Sequence, residues 1–240
     1  MRLARLYAPG LPQLVQASFV PNLAQTWQQS LEKAPFGLLV DWLRQFALAE
    51  GVRLHGWSIT PQALLLLATP ADRASISRLV QNIGRHLSAH LKCGGVFVGR
   101  YRNTILEPGQ WVLPALVWLE TAPVVAGCAP IALSWRWSSA AQHCGESDAH
   151  RAFVQDHHDY WSCGNTPFDR QANYRAMLLD GLNLAQSQQI ESAIKGQWAL
   201  GSAVFAKNLE NVASRRASPR QRGRPSKAVV EPSSQKVAGQ

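Results

Sequence analysis

Thr60-Pro61-Gln62-Ala63-Leu64-Leu65-Leu66-Leu67-Ala68-Thr69-Pro70 is an apolar run closed by a proline near each end. Proline supplies no backbone donor and so ends strand pairing, which makes the stretch between the two prolines a core strand. Ahead of it, Val52-Arg53-Leu54-His55-Gly56-Trp57-Ser58-Ile59 reads as a strand of alternating character that can pair with it as a hairpin around Thr60-Pro61-Gln62. Further out, Gln13-Leu14-Val15-Gln16-Ala17-Ser18-Phe19 alternates like a first strand and stops at Pro21. Residues 21–36 are polar and broken by prolines, which predicts a loop or a short helical turn. From 38 to 50, Leu39, Trp42, Leu43 and Phe46 recur at helical steps, and Gly51 is a natural stop.

Behind the central strand a helix is expected to start near Asp72, a good cap residue. Ile76, Leu79, Val80, Ile83, Leu87 and Leu91 form its apolar face, with Arg78, Asn82, Arg85 and His86 opposite, either as a solvated face or as a DNA contact. Gly94-Gly95 then turn the chain into a strand expected over 96–106, where Arg100 and Arg102 flank Tyr101. Arginine grips phosphate through a planar fork of donors, and a tyrosine ring can stack on an unpaired base; equally, Tyr101 can pack inward while both arginines point to water. Strand, helix, two strands, helix, strand is the pattern of a ferredoxin-like antiparallel sheet with helices on one face, an α+β fold. Residues 111–119 read as a further helix, with Pro114 tolerable only in its first turn.

Charge separates the body from the tail. Residues 1–210 carry 17 Lys/Arg against 14 Asp/Glu, and residues 211–240 carry 7 against 1, so most of the net +9 lies in the last thirty residues. A basic tail on a near-neutral body points to a polyanion, nucleic acid or an anionic surface. Cys93, Cys128, Cys144 and Cys163 have no paired spacing and are expected reduced. No apolar run reaches the ~20 residues of a membrane span, and no apolar segment of a secretory leader follows Met1. His157-His158 with Asp156 and Asp159 is a cluster of metal-ligand types, but neighbours in sequence usually point apart, so it reads as a solvated loop and no metal site is expected.

The order Thr60 to Pro70, Gly99-Arg100-Tyr101-Arg102, Trp118-Leu119-Glu120-Thr121-Ala122-Pro123-Val124-Val125-Ala126-Gly127, Trp135-Arg136-Trp137-Ser138-Ser139 and Trp198-Ala199-Leu200-Gly201-Ser202 resembles the REP-associated tyrosine transposases, a branch of the single-tyrosine HUH transposases. The likeness spans about residues 10–227. It implies an HUH-transposase-like domain over 1–143, a linker over 144–166, a helical extension over 167–213 and a disordered basic tail over 214–240. In that family two histidines on the central strand, and an asparagine four residues after a catalytic tyrosine, hold a divalent metal while the phenolate attacks phosphate. Here the histidine positions fall on Ala63 and Leu65, the tyrosine on Trp118 and the asparagine on Ala122. Alanine and leucine offer no metal lone pair and indole no nucleophilic oxygen.

The resemblance therefore implies a pseudoenzyme without a cofactor, a bacterial DNA-binding protein of the cytoplasm and nucleoid. Its expected partners are a single-stranded hairpin, A/T-rich duplex and a second copy of itself. The alternatives are an active single-strand DNA transposase using displaced residues, with Tyr101, Tyr160 and Tyr174 as the tyrosines to consider, and an RNA-binding sheet. In the tail, Arg220, Arg222, Gly223, Arg224, Pro225 and Lys227 contain the Arg-Gly-Arg-Pro core of an AT-hook, suited to a narrow minor groove.

Overall fold

The computed structural model describes residues 5–147, 153–213 and 215–219. The apolar run forms β3 (Ala63–Thr69), paired antiparallel with β2 (Arg53–Ile59) on one side and with β1 (Gln13–Ser18) on the other. β4 (Arg102–Ile105) pairs with β1, giving an antiparallel sheet of order β2-β3-β1-β4. All seven residues of β3 are buried. Leu64, Leu66 and Ala68 enter one core while Ala63, Leu65 and Leu67 enter another. This is why the run is continuously apolar: a strand covered on both faces has no solvent side to leave polar.

The first core is closed by α2 (Phe36–Ala49) and α3 (Ser75–Leu91), the helix pair expected on one face. Asp72 accepts from the N–H groups of Ala74 and Ser75 at 2.6 and 2.9 Å just before α3 begins. The opposite face carries α4 (Val112–Val125), which continues well past residue 119 and holds Pro114 in its first turn as required. Against it lie α5 (Ala140–His143), α6 (His158–Trp161), α7 (Pro167–Asp180) and α8 (Leu184–Gly196), so helices cover both faces. α9 (Ala203–Val212) packs Leu209 into a small third cluster with Leu6 and Ile105.

Three local expectations are corrected. Residues 21–36 hold more than the loop or short helical turn expected: beside a 3-10 turn (Leu31–Lys33) they form a regular helix, α1 (Pro21–Gln29). Pro21 sits in the first turn of α1, where its missing donor costs nothing, and Trp27 anchors the helix edge-on between Phe19 and Phe36 at 4.9 and 5.9 Å. The strand expected over 96–106 is interrupted: Phe97 makes one bridge to Phe19, Gly99 turns away at φ +66°, and regular pairing resumes only at Arg102. Within the 144–166 stretch expected as a linker, the described residues from 153 onward are docked, because Val154 bridges Leu54 at the sheet edge and Tyr160 is buried.

Both sheet edges are thereby covered, which removes open ladders. Along β2 the chain around Val154 and around Ser138 supplies partners. Along β4, Leu200 donates its N–H to Ile105 at 2.8 Å, and Glu107 donates back to Leu200 at 2.9 Å. Among the described residues, no helix is long and apolar enough to cross a membrane.

Candidate functional site

Alternation along β3 places Ala63 and Leu65 on one face of the sheet, and the four-residue step along α4 places Trp118 and Ala122 on one face of the helix. These four positions line a single cleft of about 680 Å3. Ala63 and Leu65 are its buried floor, Trp118 and Ala122 its half-buried wall. Gln16 enters from β1, and Gly181, Leu182, Ser187 and Glu191 close the far side from the α7–α8 connection and α8. The described lining residues include no imidazole, thiol or phenol. Two of its hydroxyls are already engaged: Thr121 donates to the Val117 carbonyl at 2.8 Å, and Thr60 receives the Ala63 N–H at 3.2 Å. This donor set does not fit a metal held by two histidines and an amide. Gln16, Leu182 and Glu191 were not foreseen, since each reaches the cleft through long-range packing.

On the other side of α4 lies a buried polar network that the sequence reading missed. Glu120 is fully buried. Its Oε1 accepts from Ser139 Oγ at 2.5 Å and from His143 Nδ1 at 2.7 Å, and its Oε2 accepts from the Tyr174 hydroxyl at 2.7 Å. Tyr160 donates its hydroxyl to the His143 carbonyl at 2.6 Å. Burial works to lower the His143 pKa, but the Glu120 charge and hydrogen bond outweigh it and hold the imidazole above its ordinary value. Burial first, then Glu120, holds the Tyr174 phenol well above its ordinary value, and burial raises Tyr160 likewise.

Trp135 and Ser139 clamp this region to β2, as the packing of tryptophan onto the core requires. Trp135 donates its indole N–H to the Ile59 carbonyl at 2.9 Å, and Ser139 Oγ accepts the Trp57 N–H at 2.9 Å.

The basic residues separate into two kinds. Arg102 is exposed, and the register sets Leu65, Gln16 and Arg102 side by side across β3, β1 and β4, which puts Arg102 on the face of the cleft. Arg100 is exposed just before it. Tyr101, one residue out of phase, turns to the other face: it is buried, its hydroxyl lies 3.1 Å from Ser77 Oγ, and the Arg5 guanidinium caps its ring at 3.6 Å. Its ring face is thus taken, which corrects the expectation of a base-stacking platform. Arg78 is spent on Glu50 and Asp72, and that pairing holds the Asp72 carboxyl down at about 2. Arg85, farther along α3, is exposed and touches Asn82 at 3.4 Å. Arg220, Arg222, Gly223, Arg224, Pro225 and Lys227 lie outside the described residues.

No protein-family model matches this sequence, and no curated protein does. Among solved structures, a REP-associated tyrosine transposase bound to a REP hairpin is similar, with a TM-score of 0.52 and 11% sequence identity. The match covers 65% of this chain and 88% of that one. Such low identity speaks to the fold, and the α+β architecture is transposase-like.

Proposed function

We propose that this chain is a DNA-binding protein on a transposase-like fold whose cleft no longer cuts DNA. The observation that carries the reading is that Ala63, Leu65, Trp118 and Ala122, the positions where the family resemblance implies metal ligands and a nucleophile, share one cleft and bring it neither. Displaced chemistry finds little support elsewhere. Tyr101, Tyr160 and Tyr174 are all buried away from an incoming phosphate, and burial raises the phenols of Tyr160 and Tyr174 away from the phenolate that must attack. Arg100 and Arg102 offer exposed guanidinium groups beside the cleft's face, suited to the backbone of a hairpin. The Arg-Gly-Arg-Pro tail adds minor-groove contact with A/T-rich duplex.

The test is incubation of the full chain with a labelled single-stranded DNA hairpin, with and without magnesium or manganese, read for gel shift and for covalent adduct. A salt-sensitive shift, weakened by Arg222→Ala with Arg224→Ala and never accompanied by an adduct, is the expected result. A metal-dependent adduct overturns the inactivity, and Tyr7→Phe then locates it first, since Tyr7 is the one tyrosine that is not buried. Absence of any shift overturns DNA binding itself.

A further inference from the structure

We propose that His157, His158 and Asp159 form a binding site for a divalent transition metal of the zinc class. Their ligand atoms all lie within 4.8 Å of one another. Asp159 Oδ1 is 3.0 Å from His158 Nε2 and 3.4 Å from His157 Nδ1. Tetrahedral zinc with bonds of about 2.0–2.1 Å sets its ligand atoms about 3.3 Å apart, so both separations are close to a ligating geometry before any ion arrives.

The second observation is the state of the carboxylate. Asp159 is only 4% exposed, against the solvated loop that its neighbours in sequence suggest. Its Oδ2 accepts the Gly109 N–H at 2.6 Å, while Oδ1 has no hydrogen-bond partner among the described residues, although an imidazole nitrogen lies beside it. A buried carboxylate oxygen facing nitrogen without a proton directed between them is costly, and a cation placed there satisfies both atoms. One competitor is present: His157 Nδ1 accepts the Asp159 N–H at 3.2 Å as the cap of α6. That single long hydrogen bond is weaker than an imidazole–metal bond, so exchange favours the metal.

Two imidazoles and one carboxylate select zinc, cobalt, nickel or copper over magnesium and calcium, which prefer all-oxygen shells. Three protein ligands leave a coordination position for water. Through Gly109 the bound ion would tie the docked 153–161 segment to the turn that precedes α4.

The experiment is calorimetric titration of the metal-stripped full chain with Zn2+ alone, repeated with Co2+ read by its visible absorption. One tight equivalent per chain is expected. His158→Ala removes an exposed side chain and leaves the fold intact, so it should weaken binding at least about tenfold, as should Asp159→Asn. The control combines His86→Ala, His90→Ala and Cys93→Ser, which removes the exposed ligands on and after α3, and it should bind like the parent. Absence of a stoichiometric equivalent sinks the proposal. So does binding that survives His158→Ala, or that disappears in the control. The folding of Asp159→Asn is checked by thermal unfolding, and His158→Ala decides alone if that variant fails.

Discussion

α4 presents two different chemistries two residues apart. Trp118 and Ala122 border an open cleft whose described lining holds no imidazole, thiol or phenol, whereas Glu120 is a fully buried carboxylate whose oxygens accept three hydrogen bonds. Two residues along a helix turn about 200°, so the two regions look in opposite directions. The difference is physical. A cleft open to water can exchange polar side chains for apolar ones at little cost to folding, because neither set is forced to find a protein partner. A buried carboxylate cannot lose one partner without stranding the rest.

The strongest way to break this comparison is Glu120→Ala. It leaves the His143 ring nitrogen, Ser139 and Tyr174 buried without their common partner, and breaking a buried carboxylate–imidazole pair from one side costs about 3–5 kcal/mol. Trp118→Ala, in the half-exposed cleft wall, should cost much less. Denaturant unfolding of both variants measures the contrast, and equal losses would mean that the network is not what fixes α4.

A titration separates the two buried histidines of this side of the molecule. His55 donates from Nδ1 to the Gln155 carbonyl at 2.7 Å and pairs Nε2 with Thr69 Oγ1 at 2.8 Å; chiefly through burial its pKa falls to about 4. The unfolded chain then binds the proton more readily, so stability drops as pH falls from about 6.5 to about 4, by about 3 kcal/mol. His143 has the opposite sign. Its raised pKa gives a contribution that is complete below about 6.5 and lost as pH rises through the folded value. Unfolding midpoints across pH should therefore slope down on both sides of a maximum. His55→Gln should flatten the acid limb, and His143→Gln the alkaline one.

Glycine substitutions sharpen the same contrast at smaller scale. A Cβ on Gly56 of β2 would stand 2.3 Å from Leu116 Cδ1 and 3.3 Å from Ser139 Oγ, on the network's side of α4. Gly56→Ala should cost about 1–3 kcal/mol by overpacking. At the cleft, Gly181 has open space around its Cβ position but sits at φ +68° and ψ −167°, a region essentially confined to glycine, so Gly181→Ala meets only a backbone penalty of about 1–3 kcal/mol. Thermal unfolding of the two variants gives both values.

What the sequence made legible follows from range. Alternation in β3 and the four-residue step in α4 are local: they set Ala63 with Leu65 on one strand face and Trp118 with Ala122 on one helix face, while the meeting of the two pairs in one cleft was implied by the family resemblance alone. The two prolines and the apolar run between them likewise announce a core strand, though not the helices that cover its second face. The Glu120 network was invisible because its partners stand 19, 23 and 54 residues away, on elements whose docking no periodicity encodes. Tyr101 failed for a smaller reason. A motif of arginine, tyrosine and arginine on an extended chain must send its middle residue to the opposite face from its flanks, and Arg5, distant in sequence, decides what covers it. Asp159 shows the same limit, since the N–H that engages its carboxylate belongs to Gly109, 50 residues away.

The smallest effect tests whether the cleft's face meets DNA. Arg102 is exposed and no hydrogen bond or ion pair holds it among the described residues, so Arg102→Ala should leave the unfolding midpoint unchanged. If its guanidinium contacts one phosphate of the hairpin, the variant should bind a few-fold more weakly, and the slope of log affinity against log salt should shrink by about 0.7–0.9. Arg78 is the internal control. Its charge is already shared between Glu50 and Asp72, so Arg78→Ala should alter hairpin affinity far less while removing an exposed ion pair worth little to folding. Equal salt slopes for Arg102→Ala and the parent would remove β4 from the interface and leave Arg100 and the basic tail to carry the DNA contact.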